Sequence, residues 1–341
     1  MTTHTMIDIL ALLAESKDLP LERATRAFQI MMNGGATPAQ MAAFVTALRL
    51  KGATVEEITA GATALRVKAK FISCPPGAID PCGTGGDAKG TYNISTAVAF
   101  VLAAAGVPVA KHGNRAVSSS SGSADVLEFL GVNLNAEVDV LEKCMDTLNI
   151  AFLMAPKFHP AVRHIAPVRQ ELGFRTIFNL LGPLINPAKP DFQLMGVYDK
   201  RWVEPCAHVL KELGTKAAWV VHGKEGLDEL SITGESTVAA LKEGEVTTFT
   251  ITPEDAGLER ATLEEIKGGD VETNAKALQH ALSGMDSGYR RAVLLNAAAG
   301  LLIAGRVCDL KEGVARAADA IDSSAAYNIM MKLAELSHSK A

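Results

Sequence analysis

Cysteine is scarce in this sequence. Five are present, Cys74, Cys82, Cys144, Cys206 and Cys308. They are odd in number, widely spaced and without a CxxC pair, so neither a disulfide framework nor a structural zinc site is expected, and a reducing cytoplasm fits best. Positive charge is not in excess either: 33 Lys and Arg stand against 38 Asp and Glu, a formal charge of −5. That balance offers no general attraction to polyanions, so nucleic acid and anionic membrane surfaces are not expected as partners and any anion site must be local. The N-terminus Met1-Thr2-Thr3-His4 lacks the basic stretch and apolar run of a secretory signal, and Asp8 interrupts the segment from Met6 to Ala14. The most apolar segment, Ala97 to Ala110, contains Gly106 and Pro108 and falls short of the ~20 residues needed to span a bilayer. It reads as buried core. Long low-complexity linkers are absent, as is any repeat of about 20–50 residues, which argues against a solenoid or a tethered array.

The chain has 341 residues, 48% hydrophobic and 21% charged. This composition is that of a globular protein, and the length exceeds the ~250–300 residues at which one core usually stops growing. Two unequal domains are expected, with only Ser337 to Ala341 reading as a loose tail. Residues 5 to 70 carry helical periodicity and explicit start signals. Thr37-Pro38-Ala39-Gln40 combines an N-cap, a first-turn proline and a capping-box glutamine, and Thr54-Val55-Glu56-Glu57 repeats the box. Gly34 and Gly52 sit where C-terminal caps would end helices, so about four helices and no strand are expected here. From about residue 78 the grammar becomes α/β. Short apolar runs at Val107 to Ala110, Ile150 to Met154, Gln193 to Tyr198 and Ala217 to His222 alternate with helical stretches. Thr237 to Leu241 and Val246 to Ile251 suggest an antiparallel addition at a sheet edge. After Thr273 the pattern is helical to the end.

Chemistry concentrates in the α/β region. Gly83-Thr84-Gly85-Gly86-Asp87 follows a short apolar run ending at Asp80 and precedes Asn93-Ile94-Ser95-Thr96, which opens the apolar helix from about Ala97. Backbone N–H groups in glycine turns and at a helix start can hold phosphate, although a plain strand-to-helix turn would look similar. Gly83-x-Gly85-x-x-Ala88 fits a Rossmann fingerprint only loosely, since Lys89-Gly90-Thr91 prolongs the loop where a helix should begin. The Gly-Lys-Ser/Thr of a Walker A loop is missing, so NAD and ATP are not implied. Lys111-His112-Gly113-Asn114-Arg115 is expected to follow directly on the strand Val107 to Ala110, at the edge active sites favour. The hydroxyl-rich stretch Ser118 to Asp125 then suggests a second phosphate cradle. Asp228-Glu229 are adjacent acids in a loop. Alone they would read as solvated charge, but beside a diphosphate they could hold magnesium, which offsets leaving-group charge. Arg169, in Pro167-Val168-Arg169, could grip a carboxylate bidentately, or could equally be a surface residue.

Taken in order, Gly83 to Asp87, Asn93-x-Ser95-Thr96, Lys111 to Arg115, Gly122-Ser123-Ala124-Asp125, Pro167-Val168-Arg169, Arg175-Thr176-x-Phe178-Asn179-x-Leu181-Gly182-Pro183 and Leu227-Asp228-Glu229 closely resemble the anthranilate phosphoribosyltransferase family of tryptophan biosynthesis. The resemblance covers nearly the whole chain and is most specific between Asp80 and Ser231. It implies a nucleoside-phosphorylase-like α/β fold in a homodimer. Residues 1–72, completed by helices near 165–185, would form a small all-helical domain. Residues 73–164 and 186–341 would form a large domain with a central, mostly parallel sheet.

Carried over residue by residue, the resemblance implies that Gly83, Gly86, Asp87, Thr91, Asn93, Ser95, Thr96, Lys111 and Ser123 contact phosphoribosyl pyrophosphate. Ser95, Asp228 and Glu229 would hold Mg2+. Gly83, His112, Asn114, His159, Arg169 and Gly182 would border the anthranilate path, with Arg169 pairing the carboxylate. Ser120 stands where many relatives have a basic residue, which puts one phosphate contact in doubt. The same architecture serves pyrimidine nucleoside phosphorylases, but the paired acids and Arg169 favour the transferase. A noncatalytic relative that binds nucleic acid is disfavoured by the acidic balance.

Overall fold

The computed structural model describes residues 4–116 and 121–340. Four helices come first: α1 (Met6–Ala14), α2 (Leu21–Met32), α3 (Pro38–Lys51) and α4 (Val55–Lys68). The capping boxes read in the sequence form: the Thr37 hydroxyl accepts from Gln40 N–H, and the Thr54 hydroxyl accepts from Glu57 N–H. Glu57 also works inward. Fully buried, its carboxylate accepts from Leu19 N–H at 2.9 Å and pairs with Lys51 at 3.0 Å, tying the loop after α1 to α4.

The α/β part then runs β1 (Ile79–Gly83), α5 (Ile94–Ala104), β2 (Val109–Gly113), α6 (Ser123–Phe129), α7 (Val138–Leu148) and β3 (Ile150–Met154). A helical excursion follows, α8 (Ala155–Phe158), α9 (Ala166–Leu172) and α10 (Phe178–Leu184). The chain returns through β4 (Phe192–Gly196), α11 (Val203–Glu212), β5 (Ala217–Gly223), β6 (Ser236–Lys242) and β7 (Glu245–Ile251). It ends with α12 (Val271–Leu282), α13 (Gly288–Ile303), α14 (Leu310–Asp322) and α15 (Ala325–Leu336).

The strands form one sheet in the order β3-β2-β1-β4-β5-β6-β7. The first five are parallel, and β6 and β7 add antiparallel at one edge, as the alternating threonines suggested. One boundary differs from expectation. Lys111 and His112 do not follow the strand; they lie in it, paired with Phe152 and Leu153 of β3. Their polar character concealed the strand, because β2 ends where polar side chains are needed at the sheet's C-terminal edge.

Apolar residues gather in two cores, which take opposite faces of the sheet at β4 to β6, while both faces of β2 and β3 belong to the larger one. The larger packs α5, α7 and α13 on one face, and α5 is buried on all sides from Thr96 to Ala103, as a helix apolar all round must be. The other joins α1–α4 to Ile165, Val168, Phe178, Leu181 and Leu184, with Phe28 edge-on to both Phe44 and Phe178. It continues onto α11 and residues of β4, β5 and β6, so the helical part does not bury its apolar side alone. Among the described residues no helix is long and apolar enough to cross a membrane.

Candidate active site

Parallel strands present their C-terminal ends along one edge, and the order reverses between β1 and β4, the place where open α/β sheets bind ligands. Gly83 and Gly196 are register partners there. Across them lies the loop that carries Asp228 and Glu229. A Cβ built on Gly196 would stand 1.5 Å from the Asp228 carbonyl oxygen, and one on Gly83 would stand 2.6 Å from Asp228 Oδ2. The strands end in glycine because a side chain at either position would expel the acidic loop. Beyond Gly83 the chain turns through positive φ at Gly85 (64°), Gly86 (72°) and Ala88 (60°), and Gly85 N–H donates to Asp228 Oδ2 at 2.6 Å.

Glu229 reaches the start of α5, where Ser95 N–H donates to its Oε1 at 3.1 Å. The ammonium of Lys111, buried in β2, donates to the Pro81 carbonyl at 2.6 Å and to Ser95 Oγ at 3.2 Å. Burial lowers the Lys111 pKa against the pull of Asp80, then of Glu229 and Asp228. Asp228 and Glu229 are both held well above the ordinary carboxylate range. Burial is the first cause for each; repulsion from Asp87 adds to it at Asp228, and repulsion from Asp228 adds to it at Glu229. Neither forms an ion pair among the described residues. Two adjacent buried acids short of cation are costly unless a cation joins them. No three ligating side chains converge among the described residues, but a Mg2+ ion that keeps waters and substrate phosphates needs only one or two carboxylates. The donor set therefore fits that ion.

Asn93 stands at the N-cap position of α5 without a side-chain capping bond and is held in orientation from elsewhere: its Oδ1 accepts from Asn274 Nδ2 at 3.0 Å, and its own carbonyl accepts from the Tyr289 hydroxyl at 3.0 Å. Thr96 is buried one residue past Ser95, and its hydroxyl is unpartnered. Thr91 bridges to Lys267, and Gly268 N–H donates to the Gly90 carbonyl at 2.7 Å, so the segment before α12 braces the glycine loop. Ser123 lies against the end of β2, where a Cβ on Gly113 would meet its Oγ at 2.7 Å. The N–H groups of Ala116 and Gly122 both donate to Asp125 at 3.0 Å. Part of the second cradle read from the sequence is thus filled by the chain's own carboxylate. Ser120 lies outside the described residues.

A second cluster lies where the helical excursion meets the sheet edge. His112 Nδ1 contacts the Gly182 carbonyl at 3.2 Å, and the His112 and His159 rings meet edge-on at 5.1 Å. Burial drives the His112 pKa down to about 3 and that of His159 to about 4, so both rings are neutral near pH 7. His112 Nε2 is buried and unpartnered. Arg169 stacks over Phe178 with 5.6 Å to the ring centroid and has no acid partner among the described residues. α10 thus carries both ends of this cluster, Phe178 under Arg169 and Gly182 at His112. Asn114 is exposed at the end of β2, and its Oδ1 accepts from Arg115 N–H. Among the described residues no ion pair joins Arg169, on α9, to the acidic pair in the loop after β5. A surface hollow of about 680 Å3 among His4, Arg26 and Gln40 shares no lining residue with either cluster.

Several buried polar residues escaped the sequence reading. Asp80 accepts from His112 N–H at 3.2 Å and from Asn186 Nδ2 at 2.8 Å, and Asn186 also donates to the Ala110 carbonyl at 2.7 Å. This network fastens the return from α10 to β1 and β2, and burial pushes Asp80 up to about 6. A lone acid within the apolar run of residues 78–82 was the available signal.

Two adjoining family models match the chain, a glycosyl transferase family helical bundle domain over residues 7–69 and a glycosyl transferase family a/b domain over residues 75–327. The chain is 56% identical to the anthranilate phosphoribosyltransferase of Azospirillum brasilense over 331 residues, covering 97% of this chain and 93% of that protein. It superposes on the crystal structure of anthranilate phosphoribosyltransferase from Thermus thermophilus with a TM-score of 0.92 at 43% identity, over 97% of this chain and 100% of that one. The Saccharomyces cerevisiae anthranilate phosphoribosyltransferase, solved in complex with PRPP and Mg, matches with a TM-score of 0.88 at 26% identity over 97% of each chain.

Proposed function

The chain belongs to the anthranilate phosphoribosyltransferase family, a group of glycosyltransferase-type phosphoribosyltransferases, and on that premise we propose that it joins phosphoribosyl pyrophosphate to anthranilate in tryptophan biosynthesis. The anthranilate amine would attack the ribose anomeric carbon. The new bond is C–N, the bond that breaks is the one to the pyrophosphate oxygen, and the proton the amine loses goes to solvent. The products are N-(5-phosphoribosyl)anthranilate and pyrophosphate. The observation that carries this reading is a buried acidic pair without an ion pair, laid over glycine strand ends, together with an Arg169 guanidinium that no acid among the described residues engages.

Gly83, Gly86, Asp87, Thr91, Asn93, Ser95, Thr96, Lys111 and Ser123 would hold the donor. The free hydroxyl of Thr96 and the oriented amide of Asn93 support that assignment. Ser95, Asp228 and Glu229 would hold magnesium, which would offset charge on the departing pyrophosphate. Arg169 would take the anthranilate carboxylate in a two-point grip, with the ring passing Gly83, His112, Asn114, His159 and Gly182. Neutral His112 and His159 suit an aromatic neighbour and add no charge to compete with Arg169. An aromatic amine is already a usable nucleophile, so positioning and electrostatic stabilisation of the leaving group supply the acceleration and no residue need act as base.

The two parts, residues 1–72 with 165–185 and residues 73–164 with 186–341, would form the two walls of the cleft. A homodimer in the cytoplasm belongs to the same proposal. The test is direct: protein, anthranilate, phosphoribosyl pyrophosphate and Mg2+ together should consume anthranilate fluorescence and release pyrophosphate, and omission of the metal should stop both. No turnover in the full mixture would refute the reading.

A further inference from the structure

Helix α13 is buried from Ala292 to Leu301 and apolar there except at one residue, Asn296, itself fully buried. An amide in such a place must be satisfied by the protein. Asn296 Oδ1 accepts from Leu230 N–H at 2.9 Å, and Nδ2 donates to the Leu230 carbonyl at 3.0 Å and to the Ala292 carbonyl at 2.9 Å. The side chain thus pairs with both backbone groups of one residue, as a neighbouring strand would, and that residue follows Glu229 directly.

The rest of the acidic loop is fastened elsewhere. Gly223 N–H donates to the Leu227 carbonyl at 2.9 Å, and Glu225 binds Thr233 Oγ1 at 2.9 Å. Between those points Leu230 is held by Asn296. The same helix holds the opposite side of the site, because Tyr289 donates to the Asn93 carbonyl at the start of α5. Tyr289 and Asn296 are seven residues apart, two turns and about 10.5 Å along one helix face. α13 therefore spaces the start of α5 from the acidic pair, and the Ser95 N–H to Glu229 bond spans the interval.

We propose that Asn296 is a positioning residue that sets where Asp228 and Glu229 stand relative to Ser95 and Asn93, and so governs divalent-cation and donor binding. The inference rests on the reading of those acids as the magnesium ligands. Asn296→Leu keeps the heavy-atom count and branching, at a larger volume, and removes all three hydrogen bonds. Leu295→Ala, a fully buried neighbour on the same helix without a bond to the site, is the control for a loss of stability alone. Asn296→Asp keeps the shape and the acceptor but turns an oxygen toward two carbonyls, and serves if the leucine variant does not fold.

Mn2+ binding in the presence of phosphoribosyl pyrophosphate and without anthranilate, read from the free-ion electron paramagnetic resonance signal, measures the effect apart from turnover. Asn296→Leu or Asn296→Asp should bind Mn2+ at least about tenfold more weakly. The Mg2+ half-saturation and the donor KM should rise in step, and the anthranilate KM should stay within twofold. Leu295→Ala should lose comparable thermal stability with Mn2+ affinity within twofold. Wild-type Mn2+ affinity in the Asn296 variants, or equal weakening in Leu295→Ala, overturns the proposal. A wild-type protein that consumes no anthranilate while the Asn296 variants still lose Mn2+ would refute the transferase reading and leave the positioning role standing.

Discussion

Replacing Gly83 with alanine would put a methyl group 2.6 Å from Asp228 Oδ2, where ordinary van der Waals contact begins near 3.4 Å. Gly83 is not among the residues with positive φ, so the backbone accepts alanine and the perturbation is steric. The carboxylate must retreat by about 0.8 Å. That movement stretches the Gly85 N–H to Asp228 bond from 2.6 Å to at most roughly 3.4 Å, outside the usual N–H···O range. It also shifts the acid that the proposed reaction needs beside the diphosphate, and misplacement on the order of 1 Å costs about a hundredfold in rate. Initial rates of pyrophosphate release, measured against donor concentration at saturating anthranilate, should show kcat/KM for the donor down about a hundredfold, with the anthranilate KM within threefold. Circular dichroism should show an intact fold. A Gly83→Ala enzyme with donor kcat/KM within threefold of wild type would show that the Asp228 position does not limit the reaction, and the argument from glycine strand ends would fail.

Arg169→Ala should raise the anthranilate KM far more than the donor KM, and Arg169→Lys should restore little, since an ammonium cannot make the two-point contact; equal effects on both substrates would remove the carboxylate role. The neutral histidines predict a pH effect. Their folded pKa values, about 4 for His159 and about 3 for His112, lie below the unfolded value near 6.5, so their contribution is full above about pH 6.5 and is lost as pH falls toward 4. Each histidine costs up to ~1.4 kcal/mol per pH unit in that window. Asp80, pushed up to about 6, and Asp228 and Glu229, held higher still, pull in the opposite direction, so the informative quantity is the difference between wild type and His159→Gln in urea unfolding at pH 6.5, 5.5 and 4.5. The variant should lose less stability on acidification, and parallel profiles would contradict the burial argument.

Local instructions were legible wherever they act over a few residues. The boxes at Thr37 and Thr54, the turn glycines, the apolar helix after Asn93 and the threonine-rich edge pair each carry their cause in adjacent side chains. The motifs that implied the family were legible for the same reason, as contiguous runs such as Gly83 to Asp87. Strand ends were less so: Lys111 and His112 looked like loop because nothing local reveals that β3 stands beside them.

Gly83 and Gly196 are 113 positions apart, and Asp228 lies farther on; only the order β1-β4 and the loop after β5 bring the three together. The same holds for Asp80 with Asn186, and for Asn296 with Leu230, where a polar residue in an apolar helix signals that a partner exists without saying which. The sequence by itself determined the helical and α/β grammar, the residue types available for an anion, a cation and a carboxylate, and the family. The tertiary structure decided which acids lie over which glycines, which histidines are neutral and which asparagine holds the acidic loop. Burial, close approach and hydrogen-bond pairing are properties of surfaces brought together, and they do not exist until the chain has folded.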